Sequence, residues 1–338
     1  WADKASYYVY LPYVFIYHGD AALLPDSIQQ KTGGGFSIDK ENNVIRTKTL
    51  CGVAIMQAPF FLCAHFLAAP LGYADNGFSL PYHRAIDIAA VFYLVLGLFF
   101  LWKYLIKKHS KKVTFFALFF LVGATNIYYY AIDETGMSHI YSFACFSAVL
   151  WLFDFGDIKK ALHVLCLSLL FVLIFLVRPA NIIFLFFLLL LEKNKVKAWL
   201  SGICNLNIIK TSMALLPAIL ILFSQIILWK YSTGGFFSKL YPGESFSNLT
   251  HPQFLKVWFS TNNGLFTYTP AWLFIICGII AMIINKHYRG WIYLLFFFAL
   301  SYMVASWWSW QLGCGFGHRA YVEYLAIFIT PALFLWEK

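Results

Sequence analysis

The chain has 338 residues, of which 61% are hydrophobic and 12% are charged, and its mean hydropathy is +0.70. Because a soluble domain is about 25% charged, this composition excludes a soluble globular protein. The formal net charge of +10 would favour nucleic acid in a soluble protein. In a membrane protein it reflects lysine-rich cytoplasmic loops and contacts with anionic lipid. We therefore expect membrane lipids, and no nucleic acid, as partners.

Residues 1–83 are predicted to form one long external loop that carries interfacial helices. Residues 49–72 are apolar and long enough to span a bilayer, but a span there would place the lysines of residues 103–112 outside, against the positive-inside rule. The segment also contains Pro59 and Pro70, so we expect helices that lie in the outer interface. A transmembrane helix that runs from inside to outside is then expected before residue 1.

Residues 84–338 are predicted to form a bundle of about nine transmembrane helices, which makes the fold class an all-α polytopic membrane protein. The predicted spans are residues 84–103, 113–131, 139–152, 161–177, 181–191, 212–229, 270–284, 291–305 and 321–335. Lysines fill every second connection, as the positive-inside rule expects for cytoplasmic loops. The alternate connections are therefore predicted to be external: residues 133–138, 178–180, 230–269 and 306–320.

Arginines and acidic residues concentrate on the predicted external face. Of the five arginines, only Arg289 lies in a predicted cytoplasmic loop; the others are Arg46, Arg84, Arg178 and Arg319. Arginine binds phosphate through paired hydrogen bonds, so this face is expected to bind an anion, unless each arginine pairs locally or reaches lipid headgroups. The same face carries Asp3, Asp20, Asp26, Glu41, Asp133, Glu134, His139, Glu244 and Glu323. Asp3 is then either a general base or a solvated charge.

Two further segments have an unusual composition. Arg178-Pro179-Ala180-Asn181 joins two short spans, which is typical either of a broken helix that lines a cavity or of a tight helical hairpin. Residues 307–319 combine three tryptophans with a Gly-x-Gly-x-Gly-His-Arg run. An aromatic belt accounts for the tryptophans but not for the glycines, which permit close backbone approach. The seven cysteines have no metal-ligand spacing, and neither a metal nor a cofactor is predicted.

These segments resemble motifs of the GT-C superfamily of membrane glycosyltransferases, in particular protein O-mannosyltransferases and bacterial aminoarabinose transferases. Four motifs match in order: Asp3 followed by Tyr7-Tyr8, Lys48-x-x-x-Gly52 followed by Gln57-Ala58-Pro59, Arg178-Pro179-x-Asn181, and Gly313-x-Gly315-Phe316-Gly317-His318-Arg319 followed by Pro331. The chain departs from the pattern at Lys4, where relatives often have a second acid. The resemblance implies a GT-C-like helical bundle.

The resemblance also implies an inverting transfer of a sugar from a polyprenyl-phosphate-linked donor to an acceptor at the external face. Asp3 would take the proton of a hydroxyl acceptor. The residues implied to bind the leaving phosphate are Lys48, Arg84, Arg178 and Arg319. Candidate substrate-binding residues are Glu134, His139, Asn181, Trp310 and His318. The enzyme would be a multi-pass protein, of the cytoplasmic membrane if bacterial, and its acceptor a lipid, a glycan or a protein.

Three alternatives stay open. An O-antigen ligase or polymerase also acts on lipid-linked glycans, but those proteins usually carry their large external loop late in the chain. A lipid or solute transporter often shows inverted repeats, and no internal repeat is evident here. An inactive scaffold is distinguished by whether Asp3 and Arg319 face one cavity.

Overall fold

The computed structural model describes residues 2–31, 33–155, 161–205, 207–238, 240–241, 243–313 and 315–337. About 70% of the chain is helical and 2% is strand, which confirms the prediction of a predominantly helical protein. The helices are α1 (Ala2–Tyr8), α2 (Tyr10–Phe15), α3 (Asp26–Lys31), α4 (Gly52–Ala68), α5 (Leu80–Leu105), α6 (Lys111–Ala124), α7 (Ile127–Ile132), α8 (Ser138–Asp154), α9 (Ala161–Val177), α10 (Ile182–Leu191), α11 (Lys193–Asn205), α12 (Ile208–Thr233), α13 (Phe254–Phe259), α14 (Leu265–Tyr268), α15 (Ala271–Ile284), α16 (Tyr288–Ala305) and α17 (Leu325–Trp336). Short 3₁₀ helices occur at Ala21–Leu23, Pro179–Asn181 and Arg319–Tyr321.

Three of the described helices, α5, α12 and α16, are long and apolar enough to cross a membrane. Shorter apolar helices include α4, α9, α10, α15 and α17. The helix α12 is the most exposed of the long ones, since only 17% of its apolar window is buried. So large an apolar surface is unfavourable in water, which supports a membrane location for this bundle.

Most helix bounds agree with the predicted spans to within a few residues, but residues 113–131 are broken between α6 and α7. The Thr125 hydroxyl donates to the carbonyl of Leu121, in the preceding turn, at 2.5 Å. The next side chain, Asn126, donates to the carbonyl of Phe316 at 3.1 Å. A contact with a distant segment therefore accompanies the end of α6. The lysine-rich segment after α10, predicted as a loop, forms the helix α11 instead.

The segment that raised the question of an additional span forms one continuous helix, α4, of 17 residues. This helix runs antiparallel to the first half of α5. At one end the Tyr93 hydroxyl donates to the carbonyl of Met56 at 2.9 Å, and at the other His65 Nδ1 lies 2.6 Å from the Tyr82 hydroxyl. A helix of 17 residues is shorter than the roughly 20 residues of a typical span.

The start of α4 lies directly against the end of α9. A Cβ atom on Gly52 would lie 2.3 Å from the carbonyl carbon of Leu176 and from the amide nitrogen of Val177. Only glycine therefore lets the two backbones approach this closely. Upstream, the antiparallel strands β1 (Phe36–Asp39) and β2 (Val44–Thr47) pair with Phe36 opposite Thr47.

One end of the bundle is held together by ion pairs among the lysine-rich connections. Asp154, at the end of α8, contacts Lys195 and lies 3.1 Å from Lys108. Glu192, after α10, lies 3.3 Å from Lys195 and 3.6 Å from Arg289. These side chains come from connections that the sequence predicted to be cytoplasmic. The helices α8 and α10 begin at the other end of the bundle.

Candidate functional site

A cavity of about 650 Å³ lies at that other end. Its walls come from all five segments predicted to be external: α1, the connection before α8, the turn after α9, the connection after α12, and the segment from the end of α16 to residue 320. These segments are far apart in the chain, so only the packing of the helices brings them together. The charged lining residues are Asp3, Lys4, Glu134, Arg178, Glu244 and Arg319, and His139 lies beside them.

Asp3 and Arg319 form an ion pair on the cavity wall. The Arg319 guanidinium donates to Asp3 Oδ2 at 2.6 Å, and the two side chains are 19% and 30% exposed. Asp3 lies in the first turn of α1, where the helix dipole favours a negative charge. The two residues predicted as base and phosphate ligand therefore face the same cavity.

The glycine run before Arg319 explains how this residue reaches the wall. Gly317 has a φ of +70°, and a Cβ atom there would lie 3.0 Å from the Tyr268 Cβ atom. A Cβ atom on Gly315 would lie 2.8 Å from the Tyr130 hydroxyl. The backbone thus passes close to two aromatic side chains before the 3₁₀ turn that carries Arg319. The sequence expectation of close backbone approach holds at both glycines.

Arg178 is anchored by a buried carboxylate behind the cavity wall. Its guanidinium donates to Glu323 Oε1 at 2.6 Å, and the His139 Nδ1–H donates to Glu323 Oε2 at 2.7 Å. Burial would raise the pKa of Glu323, but His139 and Arg178 outweigh it and hold that pKa below its usual value. Burial by itself lowers the pKa of Arg178, and Glu323 reverses the effect and raises it. Both groups are thus charged.

The position of Arg178 follows from the local sequence. Pro179 disfavours helical backbone at the preceding residue, and Arg178 is extended, with φ −155° and ψ 117°. The chain then enters the 3₁₀ turn and α10, so the guanidinium projects from a break between two helices. The helices α9 and α10 run in opposite directions from this turn, as in a helical hairpin, and the turn itself lines the cavity, so both interpretations of this segment hold in part.

Two further ion pairs lie at the cavity. Lys4 contacts Glu134 at 2.9 Å, which places the predicted substrate-binding residue Glu134 on the wall. Lys48 contacts Glu244 at 3.3 Å; Glu244 lines the cavity, so Lys48 lies one side chain behind it. The indole Nε1–H of Trp308 also donates to Glu244, at 3.2 Å.

The structure corrects the expectation for Arg84. Its side chain is 71% exposed, pairs with Asp87 one turn along α5 at 3.2 Å, and is absent from the cavity lining. The helix α5 points this residue away from the segments that form the cavity. Arg84 is therefore separated from the other three predicted phosphate ligands.

Three predicted substrate-binding residues also lie away from the cavity lining. Asn181 is fully buried, donates to Ser142 at 2.8 Å and supports the turn below Arg178. His318 is fully buried, and its Nε2–H donates to the Trp310 carbonyl at 2.9 Å. The Trp310 ring instead faces Lys256, whose Nζ lies 6.0 Å from the ring centroid. The Asn181 amide and the His318 Nε2–H are thus used within the protein behind the wall, whereas the buried His318 Nδ1 has no hydrogen-bond partner among the described residues.

The sequence offered only a weak signal for several residues at the site. Glu323 was one of three nearby acids, with Asp133 and Glu134, that could pair with the arginines in place of a phosphate, and it binds both Arg178 and His139. Tyr241 lines the cavity without belonging to any motif, and Trp308 lines it from the tryptophan-rich start of the 307–319 segment. A buried acid four residues after Arg319 was the available signal for Glu323, since an acid at the start of an apolar segment needs a partner.

Within the described ranges, no group of three or more His, Cys, Asp or Glu side chains is arranged to hold a metal ion. The chemistry available at the cavity is that of two guanidinium groups, one ammonium group, carboxylates, an imidazole and aromatic rings. Such a site can bind an anion and move a proton. Comparison with protein-family models, with curated proteins and with solved structures yields no match to this chain.

Proposed function

We propose that this chain is a polytopic membrane glycosyltransferase with a GT-C-like helical bundle, which transfers a sugar from a polyprenyl-phosphate donor to an acceptor. The single observation that carries the proposal is the convergence of Asp3, Arg178 and Arg319 on one cavity built from the five segments predicted to be external. A base beside two phosphate-binding groups is the set of functions that displacement of a phosphate by a hydroxyl requires.

In this mechanism the donor phosphate lies against Arg178 and Arg319. The acceptor hydroxyl attacks the anomeric carbon from the opposite side of the ring, which inverts its configuration. Asp3 takes the hydroxyl proton, and the two guanidinium groups stabilise the charge on the leaving polyprenyl phosphate. The ring centroids of Tyr241 and Trp307 lie 6.0 Å apart on the same wall, and these rings offer faces against which a sugar can pack.

The membrane side of the proposal rests on the apolar helices and on the arrangement of the loops. The lysine-poor connections lie around the cavity, and lysine-rich connections lie at the ion-pair cluster at the other end of the bundle. By the positive-inside rule, the cavity then faces the exterior, which is the periplasm if the source is bacterial. The lipid tail of the donor would remain in the bilayer, and the N-terminal helices would lie on the external side of the bundle.

The test is turnover in nanodiscs with a panel of polyprenyl-phosphate sugars, with a membrane extract as the source of acceptors and release of polyprenyl phosphate as the readout. We expect one donor to be consumed, and Arg319→Gln to lower its turnover by about 10²–10³-fold, the usual loss when one charge-stabilising donor is removed. Arg46→Gln, in β2 and away from the cavity lining, is the control with an equal change of charge.

Two outcomes would count against the proposal. If no donor of the panel is bound or consumed by the folded protein, the glycosyltransferase assignment fails. If proteoliposomes move an intact substrate across the membrane without cleavage of its phosphodiester bond, the transporter alternative is correct instead.

A further inference from the structure

The charged side chains at the cavity form four ion pairs without net charge. The pairs are Arg319–Asp3 (2.6 Å), Arg178–Glu323 (2.6 Å), Lys4–Glu134 (2.9 Å) and Lys48–Glu244 (3.3 Å). Within the described part of this site, four cations thus match four carboxylates. An anion that enters the cavity meets guanidinium groups that already have partners, so its binding must redistribute these contacts.

The two arginine pairs differ in how firmly the carboxylate is held. Glu323 is fully buried and binds His139 as well as Arg178. Asp3 is 30% exposed and lines the cavity together with Arg319. A part-exposed carboxylate exchanges its partner for water or ligand at far lower cost than a buried one. Arg319 is therefore the guanidinium that is able to change partner.

On the basis of the proposed function, we propose that Arg319 passes from the Asp3 carboxylate to the donor phosphate during sugar transfer. As the acceptor oxygen bonds to the anomeric carbon, the bond from that carbon to the phosphate oxygen breaks, and its electron pair leaves with the phosphate. The acceptor proton moves to Asp3. Asp3 loses its negative charge in the step in which the phosphate gains one, so the total charge of the cavity is unchanged.

This exchange determines which phosphates the cavity prefers. A donor phosphodiester carries one negative charge, whereas the phosphate monoester that leaves carries between one and two at neutral pH. While Asp3 is ionised, its carboxylate already compensates the charge of Arg319. The second negative charge of the monoester then has no free counter-charge, and the monoester binds weakly. Once Asp3 is neutral, Arg319 is released to the phosphate, and the monoester binds tightly.

The comparison of monoester and diester binding depends on which groups near Asp3 change their charge between pH 5 and 8. Lys4 on the same helix and Arg319 on the facing segment are cations, and Tyr7 and Tyr241 are phenols close enough to respond to Asp3. Burial raises the pKa of both phenols, and the charge of Asp3 adds to the increase, whereas Arg178 lowers it. Both phenols are therefore neutral between pH 5 and 8. In that range a phosphate monoester itself titrates, with a second pKa near 6.

The experiment measures the binding of farnesyl phosphate, a monoester, and of its methyl diester to the full chain in detergent by titration calorimetry. In the wild type we expect the affinity for the monoester to rise as the pH falls from 8 to 5, while the affinity for the diester stays constant. At pH 8, Asp3→Asn is expected to bind the monoester about tenfold more tightly, because an uncompensated guanidinium now faces it. The gain for the diester should be smaller.

The matched control is Asp26→Asn, which removes a carboxylate paired with Lys40 at the same distance of 2.6 Å, away from the cavity lining. This variant should bind both compounds like the wild type. If the folded Asp3→Asn protein shows no gain in affinity for the monoester, the proposed exchange of Arg319 is wrong, while the proposed donor-phosphate site is unaffected. If the wild type binds neither compound, the proposed function itself fails. Should Asp3→Asn not fold, a monoester affinity in the wild type that is independent of pH overturns the exchange.

Discussion

The guanidinium of Arg178 donates to the carboxylate of Glu323 at 2.6 Å, although the two residues are 145 positions apart in the chain. Arg178 lines the cavity, while Glu323 is fully buried behind it. A guanidinium at the boundary of an apolar bundle needs a counter-charge, and Glu323 supplies it without occupying the cavity. The arginine is thus held in one orientation and keeps a donor face towards the cavity.

This relationship predicts a large effect of Glu323 on stability. Glu323→Gln leaves Arg178, whose side chain is only 20% exposed, charged and without its counter-charge, and breaking such a pair costs up to about 3–5 kcal/mol. We expect a marked fall of the thermal unfolding temperature in detergent. Asp26→Asn, which breaks the exposed pair with Lys40, should change stability by about 1 kcal/mol or less. Equal effects of the two substitutions would contradict the anchoring role of Glu323.

A second prediction concerns Asp3 as the general base. Asp3→Asn retains an oxygen that accepts from Arg319, and the residue lies in the first turn of α1, so the protein should fold. Turnover should fall by about 10²–10⁴-fold, the usual contribution of general-base catalysis. Near-normal turnover would remove Asp3 from the mechanism. The acceptor would then be a group that is already ionised, such as a phosphate.

A third prediction separates phosphate binding from a purely structural ion pair. Arg319→Lys preserves the charge but loses the planar, two-pronged guanidinium. If Arg319 binds the donor phosphate, donor affinity or turnover should fall while the unfolding temperature stays unchanged. If the residue only pairs with Asp3, stability should fall first and activity should follow it. Unchanged donor binding and turnover in a folded Arg319→Lys protein would refute the phosphate role.

The fourth prediction is a pH dependence of stability that originates from His318. Burial lowers the pKa of this side chain to about 3, from an ordinary value of 6.5. Between these values the unfolded chain binds a proton that the folded chain does not, so stability falls as the pH falls below 6.5, by up to about 1.4 kcal/mol per pH unit. Glu323 destabilises only at lower pH, because its pKa in the folded protein lies below its usual value of 4.5.

The measurement is the unfolding temperature between pH 7 and 5 in the wild type and in His318→Gln. The variant should lose part of the slope, since glutamine does not titrate and can still donate to the Trp310 carbonyl. His251→Gln, at an exposed histidine, is the matched control and should keep the slope of the wild type. A slope that is the same in all three proteins would show that His318 is protonated in the folded state.

The fifth prediction concerns membrane topology. In a cysteine-free background, an impermeant maleimide added from outside should label Glu41→Cys, in the exposed turn between β1 and β2. It should not label Ser110→Cys, in the lysine-rich connection between α5 and α6, until the membrane is permeabilised. Labelling of position 110 in intact cells would reverse the orientation proposed for the cavity.

The sequence predicted the apolar helices well because their signal is local. The segment 161–177 is apolar apart from His163 and Ser168 and ends at Arg178-Pro179, and α9 has those bounds. The break between α6 and α7 was missed because Asn126 bonds to a backbone carbonyl 190 residues away. Local composition contains no record of such a contact.

The same limit applies to the site. Arg84, Arg178 and Arg319 all lie near predicted outer helix ends. The sequence alone did not show which of them face the cavity. Only the direction in which each helix presents its side chain separates Arg84, which points away, from the two arginines on the cavity wall. The motifs identified the segments that meet, and tertiary packing determined which side chains in those segments face the cavity.

The close contact at Gly52 makes substitutions in two distant segments of the chain depend on each other. The backbone of Gly52 lies against Leu176 and Val177, directly before Arg178, and Gly52 follows Lys48 by four residues. Any substitution that adds a side chain at Gly52 must separate α4 from α9 and shift both cationic residues at once. We therefore expect the segments around residues 48–52 and 176–178 to diverge together, so that diverged relatives are better sought by this paired signature than by overall identity.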